Sequence, residues 1–100
     1  MNEKKLIEIL MDNSLSISER DDAAMDLSAF NSDEVVDALL KIGKDKSVND
    51  VILYSVGESL AEIWLRNKSF NLEVFNELCE ATKFSVKENM DVNGSSCSKG

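Results

Sequence analysis

Apolar side chains recur at helical spacing along most of the chain, and one six-residue pattern occurs three times. The segments LIEILM at 6–11, VVDALL at 35–40 and VFNELC at 74–79 share the order apolar, apolar, polar, any, apolar, apolar. Residues at these spacings fall on one face of a helix. Because no alternation of apolar and polar residues is sustained anywhere, the sequence predicts an all-α fold.

The periodicity predicts about five antiparallel helices, at about 3–12, 19–30, 33–43, 49–66 and 72–83. Short polar side chains that favour helix N-caps precede most of them. We expect Ser18, Ser32 and Asn71 to cap the second, third and fifth helices. Either Ser47 or Asn49 is expected to cap the fourth.

Two features of the second half bear on packing and on where the fold ends. Gly57 lies inside the fourth helix, where glycine costs up to about 1 kcal/mol, so we expect a neighbouring helix to approach closely there. Beyond Phe84 the periodicity is lost and the last residues are small and polar. We therefore expect one domain over residues 1–84 and a flexible tail over residues 85–100.

Helices two and four also resemble each other, because Ala23, Ala24 and Leu27 match Val56, Gly57 and Leu60 at an offset of 33 residues. Such spacing between helix pairs is typical of α-solenoids. The stretch 18–45 resembles one HEAT-type repeat, and the matching residues are Arg20, Ala23, Ala24 and Leu27, followed by Val35, Val36, Leu39 and Leu40. The stretch 54–81 is similar to a second unit. This resemblance implies a short HEAT-like α-solenoid; an irregular helical bundle is the alternative, since the proline often found in such units is absent.

The charge narrows the classes of partner. The 100 residues include 19 acids and 11 bases, for a net charge of −8. This charge repels nucleic acid and anionic membranes and favours a basic protein as partner, unless it serves solubility alone. Two cysteines do not make a disulfide framework. The N-terminus lacks a signal-peptide pattern, and no apolar run approaches the length of a membrane span. We therefore expect a cytoplasmic location.

The side chains that most enzymes need are missing. The chain has no histidine, and histidine is the commonest general base and metal ligand. Glu58 and Glu62 stand one turn apart, but no Glu-x-x-His element can complete a di-metal site with them. We therefore expect no catalytic residues, no metal site, no cofactor and no enzymatic activity.

The polar positions between the hexamer hydrophobes are the first candidates for a binding surface. In stacked helix pairs the second helices line one face, and Glu8, Asp37 and Asn76 hold the same place in the three hexamers. Acids of helix two and a tyrosine beside Glu58 extend this set. The candidate partner-binding residues are Glu8, Asp12, Asp22, Asp26, Glu34, Asp37, Tyr54, Glu58, Glu73, Asn76, Glu77 and Glu80. The alternative is an ordinary solvated helix surface.

With its acidic composition and helical repeats, the chain resembles small bacterial immunity proteins of contact-dependent growth inhibition and polymorphic toxin systems. That resemblance implies an inhibitor that binds one basic cognate toxin, such as a nuclease, and covers its active site or substrate surface. The alternative is a non-catalytic adaptor or a subunit of a larger assembly. An oligomer is compatible with either function.

Overall fold

Helices make up most of the chain that the structure describes. The structure, a computed structural model, covers the backbone of residues 2–94 and the side chains of residues 2–90. Within this range there is no β-strand, so the all-α prediction is confirmed. The elements are α1 (Glu3–Met11), α2 (Ile17–Asp26), a short 3-10 helix (Leu27–Ala29), α3 (Asp33–Gly43), α4 (Asp50–Asn67), α5 (Leu72–Glu77) and α6 (Glu80–Gly94).

Side-chain caps fix where the helices begin. The Ser32 hydroxyl accepts the Val35 amide at 3.2 Å and the Asn71 side chain accepts the Val74 amide at 3.1 Å, so both predicted caps are confirmed. Asn49, rather than Ser47, caps α4, because its side-chain oxygen accepts the Val51 amide at 2.8 Å. These bonds satisfy backbone donors that have no partner within the helix.

The predicted cap of α2 is wrong by two residues. Ser16, rather than Ser18, accepts the backbone amide of Glu19, while the Glu19 carboxylate accepts the Ser16 amide at 3.2 Å. This reciprocal pair is a capping box. The glutamate side chain is long enough to reach back to the cap, which makes Ser16 and Glu19 a better pair than Ser18 and Asp21.

Helix α4 lies at the centre of the molecule. It packs against α2, α3 and α6. Its side chains Ile52, Val56 and Leu60 are fully buried, together with Leu27 of the 3-10 helix and Leu39 of α3. A single apolar core therefore joins both halves of the chain, while a HEAT-like solenoid order stays a prediction.

Gly57 marks the closest approach between two helices, as predicted. A Cβ atom at this position would lie 2.6 Å from the Cβ of Ser85 and 2.8 Å from the carbonyl oxygen of Thr82. Nearby, the Ser85 hydroxyl donates to the Tyr54 carbonyl at 2.6 Å. Glycine thus lets α6 lie directly against the backbone of α4.

The predictions for the C-terminal part are wrong in two respects. The helix expected at 72–83 is interrupted, because Leu78 adopts an extended backbone (φ −71°, ψ 154°), and a separate helix follows. The chain is also helical beyond Phe84, where Ser85 and Val86 are buried, so a tail does not begin at residue 85. Residues 95–100, including Cys97, lie outside the described part.

Small polar residues at buried positions explain why the hydropathy of the sequence does not predict α6. Thr82 and Ser85 are buried, but their hydroxyls donate to the carbonyls of Gly43 and Tyr54. The backbone N–H of Cys79 also donates to the Gly43 carbonyl, at 3.0 Å. Buried hydroxyls satisfied in this way are tolerated in a core, and here they fasten α6 to the end of α3 and to α4.

The loops before α2 and α4 repeat one turn. In each, a serine places its amide 2.9 Å and its hydroxyl 2.6 Å from the carboxylate two residues earlier, in the pairs Asp12–Ser14 and Asp45–Ser47. The serine hydroxyl, and next the serine amide, lowers the pKa of each aspartate below its ordinary value. The second pair follows the first by 33 residues, the same offset that relates the caps Ser16 and Asn49, so the turn and the helix cap after it recur together.

Candidate protein-binding surface

All twelve residues predicted to bind a partner are exposed, but they lie on different parts of the surface. Glu8, Glu34 and Asp37 line one groove between α1 and α3, together with Lys4 and Ile7. We refer to these five residues as the α1/α3 groove. The structure thus brings together the acids of the first two hexamers.

The acids of helix two form a separate group. Asp22 and Asp26 line a groove against α1, where they are joined by Glu19. Asp12 does not line that groove. Its carboxylate is hydrogen-bonded within the turn before α2.

The third hexamer does not extend the α1/α3 groove. Glu73, Asn76 and Glu77 on α5 are absent from the lining of that groove. Glu77 instead forms an ion pair with Lys44, with 3.3 Å between carboxylate and ammonium. The α5 positions therefore do not join the other hexamers in one groove, because α5 is short and ends before the break at Leu78.

The remaining predicted residues surround a pair of exposed aromatic rings. The centroids of Tyr54 and Phe84 are 6.3 Å apart with the ring planes tilted by 53°. Tyr54 is 46% and Phe84 56% exposed. The two rings stand side by side between α4 and α6 and form an apolar ridge.

Acidic residues lie on both sides of this ridge. The groove on one side is lined by Asp50 and Glu80, and the groove on the other side by Glu58 and Glu88. Asp50 and Glu80 come first along α4 and α6, and Glu58 and Glu88 come later. Because the facing residues follow the same order, the two helices run in the same direction here. We refer to the six residues Asp50, Tyr54, Glu58, Glu80, Phe84 and Glu88 as the α4/α6 face.

Each helix contributes acid, aromatic, acid at four-residue intervals. On α4 the order is Asp50, Tyr54, Glu58, and 30 residues later on α6 it is Glu80, Phe84, Glu88. Four residues advance a helix by little more than one turn, so each trio lies along one stripe. The face is therefore built from two matching stripes.

Phe84 and Glu88 are not among the predicted residues, although the sequence contains a signal for them. The segments YSVGE at 54–58 and FSVKE at 84–88 share the order aromatic, Ser, Val, any, Glu. In both, the serine and valine are buried and the aromatic residue and the glutamate are exposed. Each serine hydroxyl bonds to the preceding packed helix, Ser55 to Asp21 and Ser85 to the Tyr54 carbonyl.

Two lysines moderate the charge at one end of the α4/α6 face. Lys46 lines the groove that holds Asp50 and Glu80. Lys83 approaches Glu80 to 3.8 Å, in a pair whose carboxylate is almost fully exposed. Exposed ion pairs of this kind contribute little to stability. Four carboxylates against these two lysines leave the face with an excess of negative charge.

The other aromatic side chains lie near the α4–α5 loop. Trp64 is buried and meets Phe70 edge to face, with 5.3 Å between ring centroids, and Phe70 lies 5.7 Å from Phe75. Trp64 therefore belongs to the core, and Phe70 packs between Trp64 and Phe75. Phe70 nevertheless remains 42% exposed and Leu72 61% exposed.

Among the described side chains, no group of three or more His, Cys, Asp or Glu residues is arranged to hold a metal ion. Within the same range, no helix combines the length and apolar character required to cross a bilayer. Comparison of the chain with protein-family models, curated proteins and solved structures finds no match.

Proposed function

We propose that this chain is a non-catalytic inhibitor that binds one basic protein, and that the α4/α6 face is its contact surface. The observation that carries the proposal is the exposed Tyr54–Phe84 pair between two pairs of acids. A central aromatic anchor with a polar rim is the usual layout of an energetically important interface. A net charge of −8 would accelerate the encounter with a basic partner.

The resemblance to small bacterial immunity proteins supplies the kind of partner that we propose. In that form the partner is a cognate toxin, such as a nuclease, whose basic substrate-binding surface the acidic face covers in the cytoplasm. Carboxylates held on a rigid helical surface can occupy sites that otherwise receive phosphate groups. The inhibitor then needs no chemistry of its own.

Growth rescue is the direct test of this function. The product of the reading frame adjacent to this chain's gene is expressed alone and together with the chain. We expect growth arrest with the neighbour alone, rescue by the chain, and a one-to-one complex whose association rate falls steeply with added salt. A neighbour that is not toxic, or toxicity that the chain does not relieve, would overturn the immunity function.

A second candidate is an adaptor or a subunit of a larger assembly. It is favoured by the exposed Phe70 and Leu72, which lie near the start of α5 and away from the α4/α6 face. Helix α1 gives it less support, because Leu6 and Leu10 are buried against the core. A molar mass that rises with protein concentration, and no longer rises in Leu72→Asp, would favour this function.

A further inference from the structure

We infer that the α4/α6 face binds an amphipathic basic helix of the partner, in which a large apolar residue has an arginine or lysine four residues before it and four after it. This inference rests on the proposed function and specifies the partner's contact segment. It is carried by the spacing, the exposure and the rigidity of the six residues that make up the face.

The acids of each stripe are spaced to match the residues of a partner helix. Within each stripe the two acids are eight residues apart, which corresponds to about 12 Å along a helix axis. A partner helix advances by the same amount per residue, so its residues at i, i+4 and i+8 can lie opposite acid, aromatic and acid. Helix-in-groove recognition uses this kind of periodic match.

The exposure of the rings selects an apolar residue at the centre of that segment. Tyr54 and Phe84 together present two half-exposed rings, and covering them removes apolar surface from water. Arginine suits the flanking positions, because its aliphatic stem can lie on the edge of a ring while its guanidinium pairs with a carboxylate.

Tight packing beneath the face keeps the two stripes in register. Gly57 allows the backbones of α4 and α6 to touch, and the Ser85 hydroxyl bonds directly to the Tyr54 carbonyl. The Ser55 hydroxyl bonds in turn to Asp21 on α2. A surface held in place before binding loses less conformational freedom when the partner arrives.

A synthetic peptide provides the test. The probe is a fluorescently labelled, side-chain-stapled helix with Arg, Leu and Arg at i, i+4 and i+8 on an Ala/Gln background. The control peptide has the same composition, but both arginines are moved by two residues, so that they point away from the leucine side. Binding is measured by fluorescence anisotropy with the full chain at low salt.

We expect the probe to bind and the control peptide to bind at least about tenfold more weakly. Tyr54→Ala, Phe84→Ala and Glu58→Lys should each weaken the probe by about tenfold, because each removes an anchor or a charge partner. Glu62→Lys is the matched control, since it makes the same charge change one turn further along α4, and we expect a loss of less than about threefold. Circular dichroism confirms that each exposed-site variant is folded.

Three results would overturn the inference. They are equal binding of both peptides, equal losses in Glu58→Lys and Glu62→Lys, or no binding at peptide concentrations on the order of 1 mM. The first two would show that charge alone attracts the peptide. Growth rescue is scored separately from peptide binding, so rescue without peptide binding would retain the proposed function and reject only the helical segment.

Discussion

The α1/α3 groove and the α4/α6 face are both acidic, but they differ in what lies between the acids. In the α1/α3 groove, Glu8, Glu34 and Asp37 surround Ile7, whose side chain is half-buried. On the α4/α6 face the acids surround two aromatic rings that are about half exposed. Charge alone steers an encounter, whereas exposed aromatic anchors contribute most of the energy that keeps a complex together.

The difference originates in how each helix fills its buried positions. The hexamers place their large apolar residues inward, as Leu6, Leu10 and Leu39 show, so the exposed side chains of the hexamers are all polar. In the segments YSVGE and FSVKE, serine and valine occupy the buried positions and the aromatic residue is left outside.

The largest expected effect comes from separating α4 from α6. Gly57→Ala would place a Cβ 2.8 Å from the Thr82 carbonyl oxygen, a backbone atom that cannot move away on its own. Despite the better helix propensity of alanine, we expect the free energy of unfolding to fall by about 1–3 kcal/mol. Urea denaturation measures this loss, and the remaining folded protein should bind the peptide probe more weakly.

Gly43→Ala is the matched control for that variant. Its Cβ would meet side-chain atoms only, the nearest being Leu78 Cδ2 at 3.1 Å and Thr82 Cγ2 at 3.2 Å. We expect a smaller loss of stability than in Gly57→Ala, because side chains adjust more easily than backbone. A Gly57→Ala variant as stable as the parent protein would contradict the close approach of the two helices.

The next largest effect distinguishes the two acidic surfaces directly. Glu58→Lys reverses a charge on the α4/α6 face, and Asp37→Lys makes the same change in the α1/α3 groove. For the basic partner we expect Glu58→Lys to weaken binding by about tenfold and Asp37→Lys by less than about threefold. Surface plasmon resonance measures the association and dissociation rates of each variant. A larger loss of affinity in Asp37→Lys than in Glu58→Lys would make the α1/α3 groove the contact surface.

A smaller effect is expected at α2, which packs against both α1 and α4. Ser16→Ala removes the capping box and should lower the free energy of unfolding by about 1 kcal/mol. Ser18→Ala, at an exposed position inside the helix, should change it by less than about 0.5 kcal/mol. Thermal or urea unfolding compares the pair, and probe binding should be unchanged in both.

The smallest effect on stability concerns the matching turns before α2 and α4. Hydrogen bonds from Ser14 and Ser47 lower the pKa of Asp12 and Asp45. The ionised carboxylates therefore stabilise the fold above the unfolded-state pKa of about 3.9, and this contribution is lost as the pH falls through the lower folded-state values. Asp12→Asn combined with Asp45→Asn should flatten the acid limb of stability plotted against pH.

The serines provide the control for that pH dependence. Ser14→Ala with Ser47→Ala removes the hydroxyl bonds, the largest cause of the lowered pKa values, and leaves the carboxylates in place. We expect a partial flattening of the same limb, measured by denaturation from neutral to acidic pH. An acid limb identical to that of the parent protein in both double variants would contradict a role for these turns.

The all-α fold follows from the periodicity of large apolar side chains, and the close approach at Gly57 follows from a glycine inside a helix. Apolar periodicity failed at α6, where Thr82 and Ser85 occupy buried positions that hydropathy assigns to solvent. Their hydroxyls bond to backbone carbonyls of other helices, and such long-range partners leave no local pattern. Phe84 was missed because it lies where apolar periodicity is lost, although FSVKE at 84–88 repeats the order of YSVGE at 54–58; Tyr54 lies in a helix that periodicity identifies.

The shared direction of α4 and α6 makes the two ends of the α4/α6 face electrostatically unequal. Asp50 and Glu80 lie in the first turns of their helices, where the positive ends of both helix dipoles offset their charges, as do Lys46 and Lys83. Glu58 and Glu88 lie in the helix interiors, beyond the reach of those dipole ends. A docked basic helix would therefore have a preferred polarity, with its more strongly charged end beside Glu58 and Glu88.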